Sequence, residues 1–100
     1  MKLRWTRRAR QDLVEIGRYI ARDKPEAARR WVERLRQRAQ AAAEMPRSGR
    51  AVPEVDREDV REVLVRRYRI VYQIHASEIR VLTVFEGHRL LPKEVAAELD

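Results

Sequence analysis

Three β-type segments, separated only by short breaks, lie between residues 61 and 86 and strongly limit the folds that this chain can adopt. In the middle segment, YRIVYQI, two sets of residues alternate: Tyr68, Ile70, Tyr72 and Ile74 against Arg69, Val71 and Gln73. A period of two with charge on one side predicts a half-buried strand, apolar toward a core and polar toward water. Consecutive strands with such short connections predict an antiparallel sheet.

Two amphipathic helices are predicted before these strands. Thr6 suits the N-cap of a helix that continues to about Arg22. Pro25 suits the first position of a second helix, which runs to about Glu44. Their predicted inward-facing residues are Ala9, Leu13, Ile16 and Ile20 on the first, and Ala28, Trp31, Leu35, Ala39 and Ala42 on the second. Because the turn between the helices is so short, they must lie antiparallel.

These elements predict one α+β domain spanning residues 1–100. An N-terminal strand at residues 2–5 comes first, and an antiparallel helical hairpin then packs on an antiparallel sheet of about four strands. A last helical turn is expected within residues 93–100. Residues 46–60 contain Pro46, Gly49 and Pro53 and are expected to form an irregular loop. Its acidic pairs, Glu54/Asp56 and Glu58/Asp59, are interpreted as ordinary solvated charges.

Composition excludes several classes of protein. The chain contains no cysteine, so it has neither disulfides nor thiolate metal sites, and two isolated histidines make no convincing zinc site. It has no Gly-rich phosphate loop and no HExxH motif. These features disfavour a conventional hydrolase or a metalloenzyme, and no cofactor is expected. No apolar run approaches the 18 or so residues that span a bilayer, so no membrane association and a cytoplasmic location are expected.

Charge is distributed unevenly along the chain. The net charge is +7, yet residues 1–50 contain 15 Lys and Arg against 6 Asp and Glu, whereas residues 51–100 contain 8 against 10. On the second helix, Arg30, Arg34 and Arg38 recur every four residues, and each like-charged pair costs an isolated helix about 0.2–0.5 kcal/mol. This column is either a solvated basic face or a docking surface for an acidic partner or nucleic acid.

Several segments together resemble the RelE/ParE superfamily of small bacterial toxins. They are WTRRARQDLVEIGRYI, the helix start at residues 25–28, MPRSGRAVPE, REVLV, YRIVYQI and VFEGHRLLP. The resemblance covers almost the whole chain. It implies the toxin of a type II toxin–antitoxin system, forming a hetero-oligomer with a cognate acidic antitoxin. The antitoxin would order as it binds the basic helical hairpin, and we expect it to contact Arg30, Arg34 and Arg38.

The superfamily has two branches with different activities. The RelE-like branch cleaves messenger RNA on the ribosome with a set of basic residues and a tyrosine or histidine near the C-terminus. Here Arg69 matches one arginine of that set, Arg89 lies near another, and His88 could replace the tyrosine. The set is incomplete, because no tyrosine follows Tyr72 and the REVLV strand contains no lysine.

The ParE-like branch poisons DNA gyrase by binding, without catalytic residues, and the helical hairpin, MPRSGR and VFEGHRLLP are more similar to it. On this interpretation the target would be contacted by two short segments: Arg66, Arg67, and Arg89, Leu90, Leu91 and Pro92. A messenger-RNA endoribonuclease remains the alternative. A basic nucleic-acid-binding module is a second alternative, although the chain lacks a stacking pattern or recognition helix.

Overall fold

The structure is a computed structural model that describes residues 1–99. Three helices and five strands follow one another along the chain. In order they are β1 (Lys2–Trp5), α1 (Arg7–Ala21), α2 (Pro25–Glu44), β2 (Arg50–Ala51), β3 (Val60–Val65), β4 (Tyr68–Ile74), β5 (Glu78–Glu86) and α3 (Lys93–Ala97). A single 3₁₀ turn at Pro46–Ser48 follows α2.

The strands form one five-stranded sheet in the order β1-β5-β4-β3-β2. The predicted α+β fold is confirmed, but the sheet is mixed, because β1 pairs parallel to β5 while the other pairs are antiparallel. The helical hairpin carries the chain away from β1, and only β5, at the end of the meander, returns beside it. The alternation of residues within a strand does not show which strand lies beside it, so it could not predict the parallel pairing of β1 with β5.

The helical hairpin begins where its capping residues predict. The Thr6 hydroxyl accepts a hydrogen bond from the Ala9 amide at 3.1 Å and donates one to the Leu82 carbonyl at 3.2 Å, so the cap also fixes α1 to β5. The two helices approach closely at Gly17, where an added Cβ would lie 3.2 Å from a methyl group of Val32. Pro25 occupies the first turn of α2, as predicted.

The main core lies between the hairpin and one face of the sheet. Leu13 and Leu35 pack there against Ile70 and Tyr72, and the Tyr72 hydroxyl donates to the Pro46 carbonyl at 2.6 Å. Trp31 meets Tyr68 edge to face with 5.9 Å between ring centroids. Trp31 is partly buried and packs against the core, on the inward side of the helix that its position predicts.

The opposite face of the sheet is also covered, and this corrects the prediction of a half-buried strand. A second apolar cluster packs there: Val52, Val60, Val71, Leu91 and Val95. Arg69 and Gln73, expected to face water, are only 4% and 6% exposed. The cover consists of the loop between β2 and β3 and the segment through α3. Both are distant in sequence from β4, so alternation within the strand could not reveal them.

Among residues 1–99, the helices are too short or too polar to cross a bilayer.

Candidate functional site

Arg69 is the centre of a buried ion cluster on the face of the sheet opposite the helical hairpin. Its Nε donates to Glu62 Oε1 at 2.7 Å, and its two terminal nitrogens donate to the two Glu54 oxygens at 2.9 and 2.8 Å. The guanidinium lies 4.8 Å from the centroid of the Phe85 ring. Arg50 Nε donates to the other Glu62 oxygen, Oε2, at 2.6 Å. Each buried charge therefore has a partner of opposite sign.

The acid that completes this cluster lies in the loop, and it is not an ordinary solvated charge. Hydrogen bonds from Arg69, aided by the Leu91 amide, lower the pKa of Glu54 from 4.5 to about 2. The second acidic pair behaves similarly, because Asp59 accepts a hydrogen bond from the Gln73 side chain at 2.9 Å. That bond and Arg57 lower the pKa of Asp59. The interpretation of both pairs as solvated loop charges was wrong for Glu54 and Asp59.

The same ion pair holds the segment that follows β5. Arg69 Nη1 donates to the Arg89 carbonyl at 3.0 Å, and the Leu91 amide donates to Glu54 Oε2 at 2.7 Å. The Leu91 side chain is buried, with 7% of the residue exposed. Leu90, between these two anchored positions, is 80% exposed.

The turn between β3 and β4 lies beside this segment. Arg66 and Arg67 form its two-residue tip, and both are exposed. The Gly87 amide donates to the Arg67 carbonyl, and an added Cβ at Gly87 would lie 3.3 Å from that oxygen. Arg66 has a φ of 51°, a left-handed conformation that costs a non-glycine residue about 1–2 kcal/mol.

A groove of about 530 Å³ runs from this end of the sheet along α1. Arg89, Leu90 and Pro92 line one side of it, and Tyr19, which is 64% exposed, lines the other. Three acidic residues also line it, Asp12, Glu15 and Glu86, so the groove combines apolar side chains with charges of both signs.

The predicted target-contacting residues are brought to one end of the molecule. Arg66, Arg67, Arg89 and Leu90 are exposed there, whereas Pro92 is half-buried and Leu91 belongs to the second apolar cluster. We call the four exposed residues the end surface. Burial of Leu91 gives it a supporting role in this geometry.

The three residues of the ribonuclease alternative are not arranged as a catalytic set. Arg69 directs its guanidinium into the ion cluster and not toward solvent. The His88 side chain is 72% exposed, and its Nδ1 lies 3.4 Å from a Glu86 oxygen. Arg89 is exposed, but its backbone and not its side chain contacts Arg69. The donors of Arg69 are thus engaged inside the protein, whereas the side chains of His88 and Arg89 are exposed.

Arg30, Arg34 and Arg38 lie on the exposed face of α2, away from the end surface in sequence and on a different element. Arg34 stacks over the Trp31 ring at 5.6 Å. Among the ion pairs within residues 1–99, none includes a member of this column. The column therefore remains available to an acidic partner.

Sequence reasoning missed Glu54 and Glu62, although the pairing of β3 with β4 could have predicted the contact of Glu62 with Arg69. A two-residue turn at Arg66 and Arg67 pairs Leu64 with Arg69, which places Glu62 diagonally opposite Arg69 on the same face of the sheet. The contact of Glu54 with Arg69 could not be predicted in this way, because Glu54 lies in a loop and not in a paired strand. Within residues 1–99, no three acidic or histidine side chains come together in a way that would hold a metal ion.

Comparison with known proteins gives a consistent result. Residues 3–91 match the family model described as the ParE toxin of the type II toxin–antitoxin system parDE. The protein named "Putative toxin Y4kP" from Sinorhizobium fredii is 38% identical over 94 residues, which cover 92% of this chain and 94% of that protein. A solved chain of the chromosomal ParDE system from P. aeruginosa shares the fold, with a TM-score of 0.74 and 22% identity. The match covers 86% of this chain and 95% of that one.

Proposed function

Since the chain belongs to the ParE family, the toxins of ParDE-type type II toxin–antitoxin systems, we propose that it acts by binding DNA gyrase and trapping it in a harmful state. We further propose that a cognate acidic antitoxin neutralises it in a hetero-oligomeric complex. The toxin would act by binding alone, with no cofactor.

The observation that carries this proposal is the end surface with its rigid support. Three arginines and an exposed leucine lie at one end of the sheet, on a turn and a loop that hydrogen-bond to each other. Arginine and exposed apolar side chains on a fixed backbone favour association with a protein surface, since little conformational entropy is lost on binding.

The ribonuclease alternative has less support. A catalytic arginine must direct its N–H donors at the scissile phosphate. The donors of Arg69 instead form hydrogen bonds to Glu54, Glu62 and the Arg89 carbonyl. Moving Arg69 out of this cluster would leave Glu54 without its cation and Glu62 with Arg50 alone. Breaking a buried ion pair in this way costs about 3–5 kcal/mol. We therefore place Arg69 in the scaffold of the toxin.

Antitoxin binding is proposed for the column on α2. Arg30, Arg34 and Arg38 project on one face of the same helix, at intervals that match the turns of a facing acidic helix or an extended acidic segment. Because residues 1–50 contain an excess of cations, the positive electrostatic potential extends over the whole helical hairpin. An unfolded acidic segment would be attracted to it and would order on contact.

The decisive experiment compares two targets with one preparation of protein. We expect the purified protein to inhibit supercoiling by gyrase and to leave messages on translating ribosomes uncut. In cells, expression should arrest growth, and co-expression of the acidic open reading frame next to the toxin gene should relieve it. Cleaved messages with normal supercoiling would contradict the gyrase proposal in favour of the ribonuclease.

Two double variants test whether the end surface is needed for inhibition of supercoiling. Replacing Arg66 and Arg67 with glutamine removes two charges from that surface and should weaken inhibition of supercoiling. The matched control replaces Lys24 and Arg47, two exposed cations outside it, and should inhibit as the wild type does. Equal inhibition by both variants would show that the turn is not part of the contact.

A further inference from the structure

We propose that Leu90 is the apolar anchor of the toxin's contact with its target, and that the ion pair of Arg69 and Glu54 positions it. This inference rests on the proposed function and adds to it the residue that carries the contact and the pair that presents it.

The first observation is the contrast between adjacent leucines. Leu90 is 80% exposed, the largest value among the exposed large hydrophobic residues of the described chain, whereas Leu91 is 7% exposed. The backbone thus directs one leucine into the second apolar cluster and holds the next one in water. A large apolar side chain fixed in solvent gains free energy when a partner covers it.

The second observation is that the peptide groups on both sides of Leu90 are anchored to the same ion pair. The carbonyl of Arg89 precedes Leu90 and accepts from Arg69 at 3.0 Å, and the amide of Leu91 follows it and donates to Glu54 at 2.7 Å. The Arg89 amide also donates to the Glu86 carbonyl at 3.0 Å. The backbone at Leu90 is therefore ordered before any partner arrives, which lowers the entropic cost of association.

The surroundings of Leu90 indicate the chemistry of the partner. Arg89 precedes it in the chain, the Arg66–Arg67 turn is hydrogen-bonded to the start of its loop, and Tyr19 lines the same groove. The groove also contains acidic residues, but the charged members of the end surface itself are all arginines. The end surface therefore fits a protein surface with an apolar pocket rimmed by carboxylates. Single-stranded nucleic acid fits less well, because a leucine side chain provides no plane for base stacking. A second copy of this chain would oppose arginines with arginines.

The test uses two substitutions at Leu90 and one control. Leu90→Ala removes the anchor and should weaken inhibition of supercoiling at least about tenfold, whereas Leu90→Met retains a large apolar side chain and should remain close to wild type. The control is Met45→Ala. Met45 is 66% exposed and lies near Ile74, at the opposite end of β4 from the Arg66–Arg67 turn. The melting temperatures of all three variants should match that of the wild type, because the altered side chains are exposed.

The positioning pair is tested by amide hydrogen exchange at Leu91, which does not depend on any target. The Leu91 amide should be protected in the wild type and in Leu90→Ala, and should exchange at least about tenfold faster in Glu54→Ala. Glu54→Ala should also lose inhibition. If the alanine variant does not fold, Glu54→Gln is used instead; it removes the charge but retains an oxygen that can accept from the Leu91 amide, so a smaller increase in exchange is expected.

The outcomes separate the two proposals. Wild-type protein that neither arrests growth nor inhibits gyrase contradicts the proposed function, and the anchor role fails with it. Wild-type protein that inhibits gyrase while Leu90→Ala inhibits equally well overturns the anchor alone. An unprotected Leu91 amide in the wild type overturns the positioning role of Arg69 and Glu54, whatever the toxicity.

Discussion

Arg69 and Glu54, fifteen residues apart in sequence, form a two-pronged ion pair with N–O distances of 2.8 and 2.9 Å. The side chain of Arg69 is 5% exposed and that of Glu54 is 22% exposed, so the pair lies at the margin of the protein interior. A planar guanidinium matches both oxygens of a carboxylate, which gives this contact direction as well as charge. Through it, β4, the β2–β3 loop and the segment after β5 become one structural unit.

The first prediction concerns the pH dependence of stability. The folded-state pKa of Glu54 is about 2, below its ordinary value of 4.5, so its ionised form stabilises the fold. This contribution is fully present above pH 4.5 and is lost as the pH falls toward 2. It should amount to about 2–3 kcal/mol, the lower figure allowing for screening by solvent. Urea unfolding measured from pH 7 to pH 2 checks it.

Glu54→Gln is the control for that measurement. Other carboxylates, including Asp59 and Glu78, also have lowered pKa values and add to the acid sensitivity. The contribution of Glu54 is therefore the difference between the wild-type and variant curves. Parallel curves over the whole range would show that the Arg69–Glu54 pair does not stabilise the fold through charge.

The second prediction separates stability from activity at Arg66. Asparagine tolerates the left-handed backbone better than arginine, so Arg66→Asn should raise the free energy of unfolding by about 0.5 kcal/mol. The same change removes a cation from the end surface and should weaken inhibition of gyrase. Chemical denaturation and a supercoiling assay on one preparation measure both effects. A variant that is more stable and equally inhibitory would show that Arg66 serves only the turn.

The third prediction concerns the column on α2. Replacing Arg30, Arg34 and Arg38 with glutamine should leave the fold intact and weaken antitoxin binding by at most a few kcal/mol, because exposed charge pairs contribute about 0–1 kcal/mol each. The loss should shrink as salt is added, because ions screen the attraction. Calorimetric titration at low and high salt measures it. Unchanged affinity at low salt would make the column an ordinary solvated face.

The fourth prediction concerns His88. Its side chain is exposed and transfers no proton in a toxin that acts by binding, so His88→Ala should arrest growth nearly as well as the wild type. Under the ribonuclease alternative, the same change should reduce cleavage a hundredfold or more. Growth arrest and ribosome-dependent cleavage are measured side by side. Cleavage that disappears with His88 would overturn the assignment to a gyrase poison.

The elements of this fold were predictable because local chemistry decides them. Thr6 and Pro25 start the two helices, and the spacing of small and apolar residues along them identifies the faces that pack. The alternation in β4 correctly identifies the side that faces the helical hairpin. The resemblance to the RelE/ParE superfamily, carried by motifs along almost the whole chain, correctly indicated the family and the fold.

The charges of Arg69 and Glu54 could not be interpreted in the same way. In the sequence, Arg69 is a polar residue on the outward side of a strand and Glu54 is an acid in a loop, and both patterns are typical of solvated groups. Folding brings the β2–β3 loop and the last segment over the second face of the sheet, where each charge loses water and gains the other. The helices, the longer strands, the family and the side of β4 that packs on the helical hairpin could all be predicted from local patterns and motifs. The burial of Arg69 and the exposure of Leu90 could not, because burial depends on contacts between segments far apart in the chain.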